Sequence, residues 1–315
     1  MRSVLLVKTS SLGDVIHNLP VVSDLLRHWP ELRIDWVVEE NFAEIPRLHP
    51  GVSEIFPVAI RRWRKAPGQA STWREIAAFR RSLQANCYDL VIDTQGLVKS
   101  ALITWMADGL RCGYARQSAR EPMSAWFYDS RYLIPTNAHA VERNRWLCAA
   151  AAGYAPDLPL RYGLHIGLEP AGHCVLLTAT SRDDKLWPEA SWQALGRQLA
   201  ERGLACLLPA GSERERERAQ RIAAGIPGAE VVPPSSLRAL ADTLGSARAI
   251  VGVDTGLTHL AAALDRPVVA LYVATDPGLT GVYAGPRAVN LGGRGQLPTP
   301  EEVLHRLETL GALPA

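Results

Sequence analysis

The sequence predicts an α/β fold built from two doubly wound βα domains in tandem. Three observations support this prediction. Apolar runs that suit buried parallel strands alternate with helical patterns twice along the chain. The alternation breaks once, at 155–172, where prolines and glycines cluster as they do in connections between domains. The chain has 315 residues, enough for two domains that each bury their own core.

The first half begins with a short apolar strand and then alternates regularly between strands and helices. Apolar runs bounded by polar or turn residues define the strands, and apolar residues at helical spacing define the helices. The predicted strands are 3–7, 33–38, 54–58, 89–93 and 112–114, and the predicted helices are 19–26, 72–85, 99–107 and 140–152.

The second half repeats this pattern after the connection. Pro188 is predicted as the first residue of its helix, and the final helix opens with Pro300 and two glutamates. We therefore expect a first domain at 1–160, a second at 161–298 and a closing helix at 299–315. The predicted strands are 174–178, 204–208, 230–232, 249–253 and 267–272, and the predicted helices are 188–201, 213–224, 236–246, 260–264 and 299–310.

Composition narrows the class of protein. Hydrophobic residues make up 47% and charged residues 21%, as in globular proteins, and the net charge of +2 argues against a general nucleic-acid binder. No apolar run approaches the ~18 residues of a membrane span, and no signal peptide precedes the first strand, which predicts a cytoplasmic protein. Neither a G-x-G-x-x-G fingerprint nor a P-loop is present, which weakens dehydrogenase and kinase interpretations.

The most informative motif is AIVGV at 249–253 followed by DTGLTH at 254–259. It predicts a strand, a tight turn and a helix N-terminus, whose free amides and dipole favour an anion. Thr255 and Gly256 could then hold a phosphate while Asp254 and His259 reach a sugar. The alternative is that Asp254 or Thr255 only caps the helix.

Asp14 lies after the first strand, on a predicted strand-to-helix turn. In open α/β sheets ligands bind at this edge, outside the carboxyl ends of the strands. Asp14 and the motif at 254–256 would therefore line the two walls of a cleft between facing domains, an arrangement that suits joining two substrates. The alternative is that Asp14 only caps the helix that follows.

Two more polar loops follow strands of the second half. The loop at 178–188 offers hydroxyls and Lys185 for a diphosphate, or else its charged residues pair on the surface. The loop at 209–215 offers a carboxylate for ribose hydroxyls. The alternative is stronger here, since 213–218 alternates in sign like a solvated helix face.

Several segments together resemble the lipopolysaccharide heptosyltransferases of glycosyltransferase family 9. The resemblance spans nearly the whole chain. DTGxxH marks the wider family, whereas RRWRK at 61–65 and QGLVKS at 95–100 are typical of the members that add the first heptose. The segments are VKTSSLGD at 7–14, RRWRK at 61–65, DTQGLVKS at 93–100, QSAREP at 117–122, HAVER at 139–143, RDDK at 182–185 with WP at 187–188, and VDTGLTHL at 253–260.

The resemblance implies a GT-B fold and inverting transfer of L-glycero-D-manno-heptose from ADP-heptose to the inner Kdo of Kdo2-lipid A. It implies that Asp14 is the base that deprotonates the acceptor hydroxyl and that Lys185 stabilises the departing diphosphate. No cofactor is expected, and no metal, since the sequence shows no D-x-D pair or His cluster. The implied donor-binding residues are Thr180, Ser181, Lys185, Glu215, Asp254, Thr255, Gly256 and His259, with Glu213 and Glu217 left open as alternatives to Glu215.

A multiply anionic glycolipid acceptor requires a local basic patch on a nearly neutral protein. The alternative for the charge run at 61–65 is a solvated loop. Trp63 and Trp73 favour contact with a sugar or the membrane interface, although tryptophans are as often buried in cores. We expect transient contact with the inner face of the cytoplasmic membrane. The implied acceptor-binding residues are Ser11, Gly13, Arg61, Arg62, Arg64, Lys65, Lys99 and Arg120.

Competing functions stay open at this point. A second or third heptosyltransferase of the same family would accept an already heptosylated core. A noncatalytic nucleotide- or lipid-binding module would bind ADP without turnover, although binding alone requires no base. An epimerase on the same fold would consume a nucleotide sugar without a lipid acceptor.

Overall fold

The chain forms two compact units that divide between Gly163 and Leu164. The structure, a computed structural model, describes residues 1–166, 169 and 171–314. Pro170, in the predicted connection between domains, lies outside the described residues. The division falls three residues after the boundary expected from the sequence.

The first unit is a parallel six-stranded sheet with helices between its strands. A 3₁₀ segment, Glu40–Phe42, precedes α3, and another, Pro122–Phe127, lies between β5 and β6. The elements are β1 Ser3–Val7, α1 Leu12–Ile16, α2 Leu19–His28, β2 Arg33–Glu39, α3 Glu44–Arg47, β3 Glu54–Val58, α4 Ile60–Trp63, α5 Ala70–Gln84, β4 Cys87–Asp93, α6 Val98–Met106, β5 Asp108–Tyr114, β6 Ser130–Tyr132 and α7 Ala140–Ala152.

The second unit repeats this plan with its own parallel six-stranded sheet. A 3₁₀ turn, Asp183–Lys185, follows its first strand. The elements are β7 His173–Leu177, α8 Glu189–Glu201, β8 Ala205–Pro209, α9 Glu213–Ala223, β9 Glu230–Val232, α10 Leu237–Gly245, β10 Ala249–Val253, α11 Gly256–Ala263, β11 Val268–Tyr272, α12 Pro277–Thr280, β12 Ala288–Gly292 and α13 Pro300–Thr309.

Both sheets have the same strand order. The first runs β3-β2-β1-β4-β5-β6, and the second runs β12-β11-β10-β7-β8-β9, which is the same sequence of neighbours read from the other edge. In each sheet the order reverses between the first and fourth strands, β1 and β4 or β7 and β10. Ligands of doubly wound sheets bind outside the carboxyl ends of the strands at this switch point.

Each unit buries its own apolar core. In the first unit the apolar side chains of β1, β2 and β4 are buried together with Phe79 and Leu83 of α5. In the second unit Trp187 and Trp192 pack edge to face, with ring centroids 4.9 Å apart. The closing helix expected from the sequence, α13, contributes Val303 and Leu307 to the core of the second unit. Burial on this scale is what holds the strand ends, and hence the loops after them, in place.

The predicted class, α/β with two Rossmann-like doubly wound domains, is confirmed. The strands at 3–7, 54–58, 230–232 and 249–253 and the helix at 140–152 have the predicted bounds.

Several details differ from the sequence prediction. The short helices α3, α4 and α12 have no predicted counterpart, and α11 begins at Gly256, four residues before the predicted start. The strands β6 and β12 were not predicted, because each is a short, partly exposed edge strand. The strand predicted at 112–114 begins earlier, at Asp108. The residues before α2 form a separate helical turn, α1, so Asp14 lies within a helix and not on a turn. Pro188 caps α8, and Glu189 is its first residue.

Candidate active site

The loops after β7 and β10 meet through an ion pair at the switch point of the second unit. Nζ of Lys185 lies 2.6 Å from Oδ2 of Asp254. Both side chains are mostly buried, with 17% and 12% of their surfaces exposed. Because β7 and β10 are hydrogen-bonded neighbours, residues 69 positions apart in the chain come together here.

Three more side chains surround Asp254. Thr275, after β11, donates to Oδ2 over 2.8 Å, and Thr180 donates to the backbone oxygen of Asp254 over 2.8 Å. Nε2 of the buried His259 lies 3.9 Å from Oδ1. Burial alone would raise the pKa of Asp254, but its contacts with His259, Lys185 and Thr275 hold that pKa well below the usual range. Asp254 is therefore an anion that fixes the position of the Lys185 ammonium.

The helix α11 begins immediately beside this pair. Thr255 is the N-cap residue in an extended conformation and makes no side-chain capping bond, and Gly256 is the first helical residue. The first amides of a helix have no intrahelical partner and carry the positive end of its dipole. These amides and the Lys185 ammonium together offer the hydrogen-bond donors that a diphosphate requires.

A cavity of about 520 Å³ lies in the second unit beside the 178–186 loop. Its walls include Thr180 and Ser181 from that loop and Glu215 and Glu217 from α9. This volume is within the range of small-molecule sites.

The three candidate glutamates of α9 lie in different environments. Glu213 does not line the cavity and pairs with Arg216 over 2.8 Å. Oε2 of Glu215 accepts hydrogen bonds from the amides of Gly211 and Ser212, each over 2.9 Å, and so caps α9. Glu217 is exposed at the cavity wall. The cavity thus favours Glu215 or Glu217 for contact with a ligand.

In the first unit, Asp14 lies after β1, at that unit's switch point. Its Oδ2 accepts from the amide and the hydroxyl of Ser11 over 2.9 and 3.0 Å, which places it in the helix-capping role that the sequence left open. A guanidinium nitrogen of Arg120 lies 3.6 Å from the same oxygen, and 21% of the Asp14 side chain is exposed. Burial raises the pKa of Asp14, but Lys8, Arg120 and the Ser11 hydrogen bonds outweigh it and lower the pKa below 3.8. Asp14 is therefore a partly exposed carboxylate that is ionised at neutral pH.

A buried lysine and a glutamine support the Asp14 loop. Nζ of Lys8 donates to the backbone oxygen of Thr94 over 2.7 Å, and burial lowers the pKa of Lys8 to about 8. Oε1 of Gln95 accepts from the amides of Thr9 and Ser10 over 2.8 and 3.2 Å. The loop after β4 thus fixes the backbone of the loop after β1.

The predicted acceptor residues lie in two places, at the Asp14 loop and in the charge run at 61–65. Lys99, near the start of α6, donates to Oγ of Ser10 over 2.8 Å and so lies beside the Asp14 loop, as Arg120 does. Burial lowers the pKa of Lys99, and the nearby positive charges of Arg61 and Arg64 lower it further. Ser11 precedes α1 and Gly13 lies within its first turn.

Arg62 differs from its neighbours in the charge run. Its guanidinium pairs with Glu40 over 3.1 Å and with Glu75 over 2.7 Å. Trp63 donates to the same Glu75 and packs against the core, whereas Arg61, Arg64 and Lys65 are exposed. Most of the run is open to a ligand, but Arg62 already has two anionic partners.

Asp183 and Asp184 lie in exposed ion pairs with Arg214 and Arg182. Across residues 1–166, 169 and 171–314, no group of three His, Cys, Asp or Glu side chains is arranged to bind a metal ion. Among the same residues, no helix combines the length and apolar character needed to cross a bilayer.

Sequence analysis assigned no role to several residues that shape these sites. Lys8 and Gln95 belong to the motifs at 7–14 and 93–100, and Asp93 accepts from Ser100 and Tyr128 in the first core. Thr275 lies outside every motif. Its position after β11, the strand next to β10, is the signal that could have identified it.

Comparisons with known proteins give one consistent result. The sequence model of glycosyltransferase family 9 (heptosyltransferase) matches residues 76–304. Lipopolysaccharide heptosyltransferase 1 of Escherichia coli K12 is 48% identical over 288 residues, which is 89% of this chain and 90% of that protein. The solved structure of E. coli heptosyltransferase WaaC with ADP superposes with a TM-score of 0.93 at 44% identity, covering 98% of this chain and 99% of that one. The same enzyme with ADP-2-deoxy-2-fluoro heptose gives a TM-score of 0.89 at the same identity and coverage.

Proposed function

Because the chain belongs to glycosyltransferase family 9, we propose that it is an inverting, metal-independent glycosyltransferase of lipopolysaccharide inner-core synthesis. It moves L-glycero-D-manno-heptose from ADP-heptose to the inner Kdo of Kdo2-lipid A. The observation that carries this proposal is the pairing of Lys185 with Asp254 at the start of α11. We interpret this pair and the helix start as a diphosphate site, because the chain is similar to an enzyme whose structure was solved with ADP.

The second unit holds the donor in this proposal. The hydroxyls of Thr180 and Ser181 and the first amides of α11, at Thr255 and Gly256, bind the diphosphate. Glu215 or Glu217 takes the ribose hydroxyls in the cavity, and Asp254 and His259 lie on the side of the heptose or its phosphate.

The first unit supplies the base and the acceptor site. Asp14 is ionised at neutral pH, and its partly exposed side chain can be reached by an acceptor hydroxyl. Lys99 and Arg120, both beside the Asp14 loop, bind the carboxylates of Kdo. The other acceptor contacts are Ser11, Gly13, Arg61, Arg64 and Lys65. Arg62 contributes less, because Glu40 and Glu75 already pair with its guanidinium.

The transfer itself breaks one bond and forms one. The acceptor oxygen attacks the anomeric carbon of the heptose from the face opposite the diphosphate, which inverts that carbon. The carbon–oxygen bond to the β-phosphate breaks, and ADP departs with the electron pair. Asp14 takes the proton of the acceptor hydroxyl as the new bond forms. The Lys185 ammonium and the α11 amides stabilise the charge on the departing ADP.

This assignment gives Lys185 the role that a divalent cation fills in many nucleotide-sugar enzymes. The proposal therefore expects an unchanged rate of ADP release after dialysis against EDTA. A rate that falls with EDTA and returns with Mg²⁺ or Mn²⁺ would contradict the metal-independent mechanism. The lipid acceptor also leads us to propose that the protein works in the cytoplasm, in transient contact with the inner face of the cytoplasmic membrane.

The acceptor is tested by offering the purified protein ADP-heptose with either Kdo2-lipid A or a core that already carries one heptose. A product larger by one heptose with Kdo2-lipid A alone supports the proposal, and the anomeric configuration of that product tests inversion. Transfer only to the heptosylated core indicates a later heptosyltransferase. ADP binding without turnover indicates a binding module, and turnover of the donor without acceptor indicates an epimerase.

A further inference from the structure

Four large apolar side chains of the first unit point outward from two neighbouring elements. Leu102 and Trp105 lie three residues apart on α6 and are 41% and 53% exposed. Met123 and Trp126 lie three residues apart on the 3₁₀ segment Pro122–Phe127 and are 54% and 65% exposed. Residues at this spacing share one side of either kind of helix. We call these four residues the α6 face.

The two elements that carry the α6 face pack against each other. Their starts are joined because the amide of Val98 donates to Oε2 of Glu121 over 2.6 Å. The residues between the exposed ones, Ile103 and Thr104 on α6 and Ala125 on the 3₁₀ segment, are buried. The fold thus uses the inner sides of both elements for packing and leaves their apolar outer sides without cover from the described residues.

The α6 face is continuous with the acceptor residues proposed above. Lys99 is the second residue of α6 and bonds Ser10, and Arg120 lies two residues before the 3₁₀ segment and faces Asp14. From Lys99 to Trp105 the helix rises about 9 Å. An acceptor whose sugar is held at Asp14 would therefore have its acyl chains within reach of the α6 face.

The charges around the α6 face are mainly positive. Between residues 98 and 133 the chain carries five lysines and arginines and three acidic residues. Two of those acids are occupied, Asp129 by Arg111 and Glu121 by the amide of Val98. Arg116, Arg120 and Arg131 remain exposed. Tryptophan prefers the boundary between lipid and water, and cations favour anionic headgroups.

We propose that the α6 face docks on the anionic bilayer leaflet that holds the acceptor, with Trp105 and Trp126 entering the interface. This inference rests on the proposed function, because it is the lipid anchor of the acceptor that brings the bilayer next to Lys99 and Arg120. A second copy of the chain would present the same mainly positive segment, since the exposed Arg116, Arg120 and Arg131 outnumber Asp108, the exposed acid without a partner named above. An anionic bilayer complements that charge, whereas a second copy repels it.

The test is flotation of the full chain with vesicles of phosphatidylethanolamine and phosphatidylglycerol in equal parts. The variant is Trp105→Ser with Trp126→Ser. The matched control is Leu297→Ser, which removes an apolar side chain of 55% exposure from the segment after β12 in the second unit. All three side chains involved are exposed, so circular dichroism and the thermal midpoint should match across the proteins. We expect the native chain and the control to float, and the bound fraction of the double variant to fall roughly tenfold or more.

A native chain that does not float, or a double variant that floats as well as the native chain, would overturn the proposal. So would an equal loss in the Leu297→Ser control. A native dimer in sedimentation that becomes monomeric in the double variant would assign the α6 face to a second copy instead.

A second arm separates this inference from the proposed function. The double variant should transfer heptose to water-soluble, fully deacylated Kdo2-lipid A at the native rate, but more slowly to Kdo2-lipid A embedded in the vesicles. Equal loss on both acceptors would mean that the tryptophans serve the fold or the site, which would overturn the docking role. If the native chain transfers heptose to neither acceptor, the proposed function fails, while flotation still decides whether the α6 face binds lipid.

Discussion

Lys185 and Asp254 form an ion pair with 2.6 Å between Nζ and Oδ2, although 69 positions separate them in the chain. The pair exists because the strands that precede the two residues, β7 and β10, are neighbours at the point where the strand order of the second sheet reverses. It places one fixed cation beside the N-terminus of α11. The cation and the helix amides are the means by which we propose that the chain stabilises a departing diphosphate.

The first prediction concerns the charge of Lys185. We expect Lys185→Met to lower kcat by roughly a hundredfold, because the charge that develops on ADP loses its ammonium partner. Lys185→Arg keeps a cation in changed geometry and should retain more activity than the Met variant. Acceptor-dependent ADP release at saturating substrates measures both variants. Equal kcat for the native and Met proteins would exclude this role.

The second prediction concerns the stability that Asp254 contributes. At neutral pH, Asp254→Asn should lower the free energy of unfolding by about 2 kcal/mol, because a mostly buried cation loses its charged partner. The pKa of Asp254 is lower in the folded protein than its ordinary value of 3.8. The stabilisation by Asp254 is therefore fully present at a pH above the pKa that Asp254 has in the unfolded chain. It is lost as the pH falls towards the lower pKa of Asp254 in the folded protein.

Denaturant unfolding at pH 7 and at about pH 3 checks this prediction, since the difference between native and variant should shrink in acid. Asp184→Asn is the control. Its exposed pair with Arg182 should contribute nothing measurable at either pH. If the native protein gained stability relative to Asp254→Asn at acid pH, the carboxylate of Asp254 would not stabilise the fold, and the prediction would be wrong.

The third prediction concerns the pH dependence of the base. The acid limb of kcat/KM reports the pKa of Asp14, and the positive charge of Lys8 lowers that pKa. Lys8→Met should therefore move the acid limb to higher pH. Because burial lowers the pKa of Lys8 to about 8, its charge opposes folding at neutral pH, and the Met variant should stay folded. Arg74→Met, at an exposed position of α5, is the control. An unmoved acid limb in Lys8→Met would show that Lys8 does not act on the base.

The fourth prediction separates two cations that the sequence treats alike. Lys99→Ala should raise KM for the acceptor about tenfold, because Lys99 is beside the Asp14 loop and is free to pair with an acceptor carboxylate. Arg62→Ala should change that KM little, since Glu40 and Glu75 already occupy the guanidinium. Initial rates at saturating donor measure both. The opposite ranking would mean that Arg62 leaves its glutamates to bind the acceptor.

The fold could be predicted where local pattern and burial agree. The strand at 249–253 is fully buried and ends in a helix start, so its bounds were predicted correctly. The edge strands β6 and β12 lack such a signal, because half-exposed residues carry no continuous apolar run. The helical turn α1 was missed because only five residues form it.

The candidate site could be predicted only in part for a different reason. Motifs identify Asp14, Lys185 and Asp254 as polar residues at strand ends, but their partners depend on which strands are neighbours. The pair of Lys185 with Asp254, the contact of Thr275 with Asp254 and the burial of Lys8 all follow from sheet order. Sequence spacing alone does not contain that order.

The most direct test of the proposed mechanism is acceptor-dependent release of ADP from ADP-heptose by the native protein and by Asp14→Asn. Asparagine keeps an oxygen that can accept the Ser11 hydrogen bonds, so the variant should stay folded and bind ADP like the native protein. Its thermal midpoint should fall only by what the attraction of Lys8 and Arg120 for the Asp14 carboxylate contributes. The account predicts a loss in kcat of roughly a hundredfold or more, the scale of a missing general base. A variant as active as the native chain would contradict it and leave Asp14 as a helix cap.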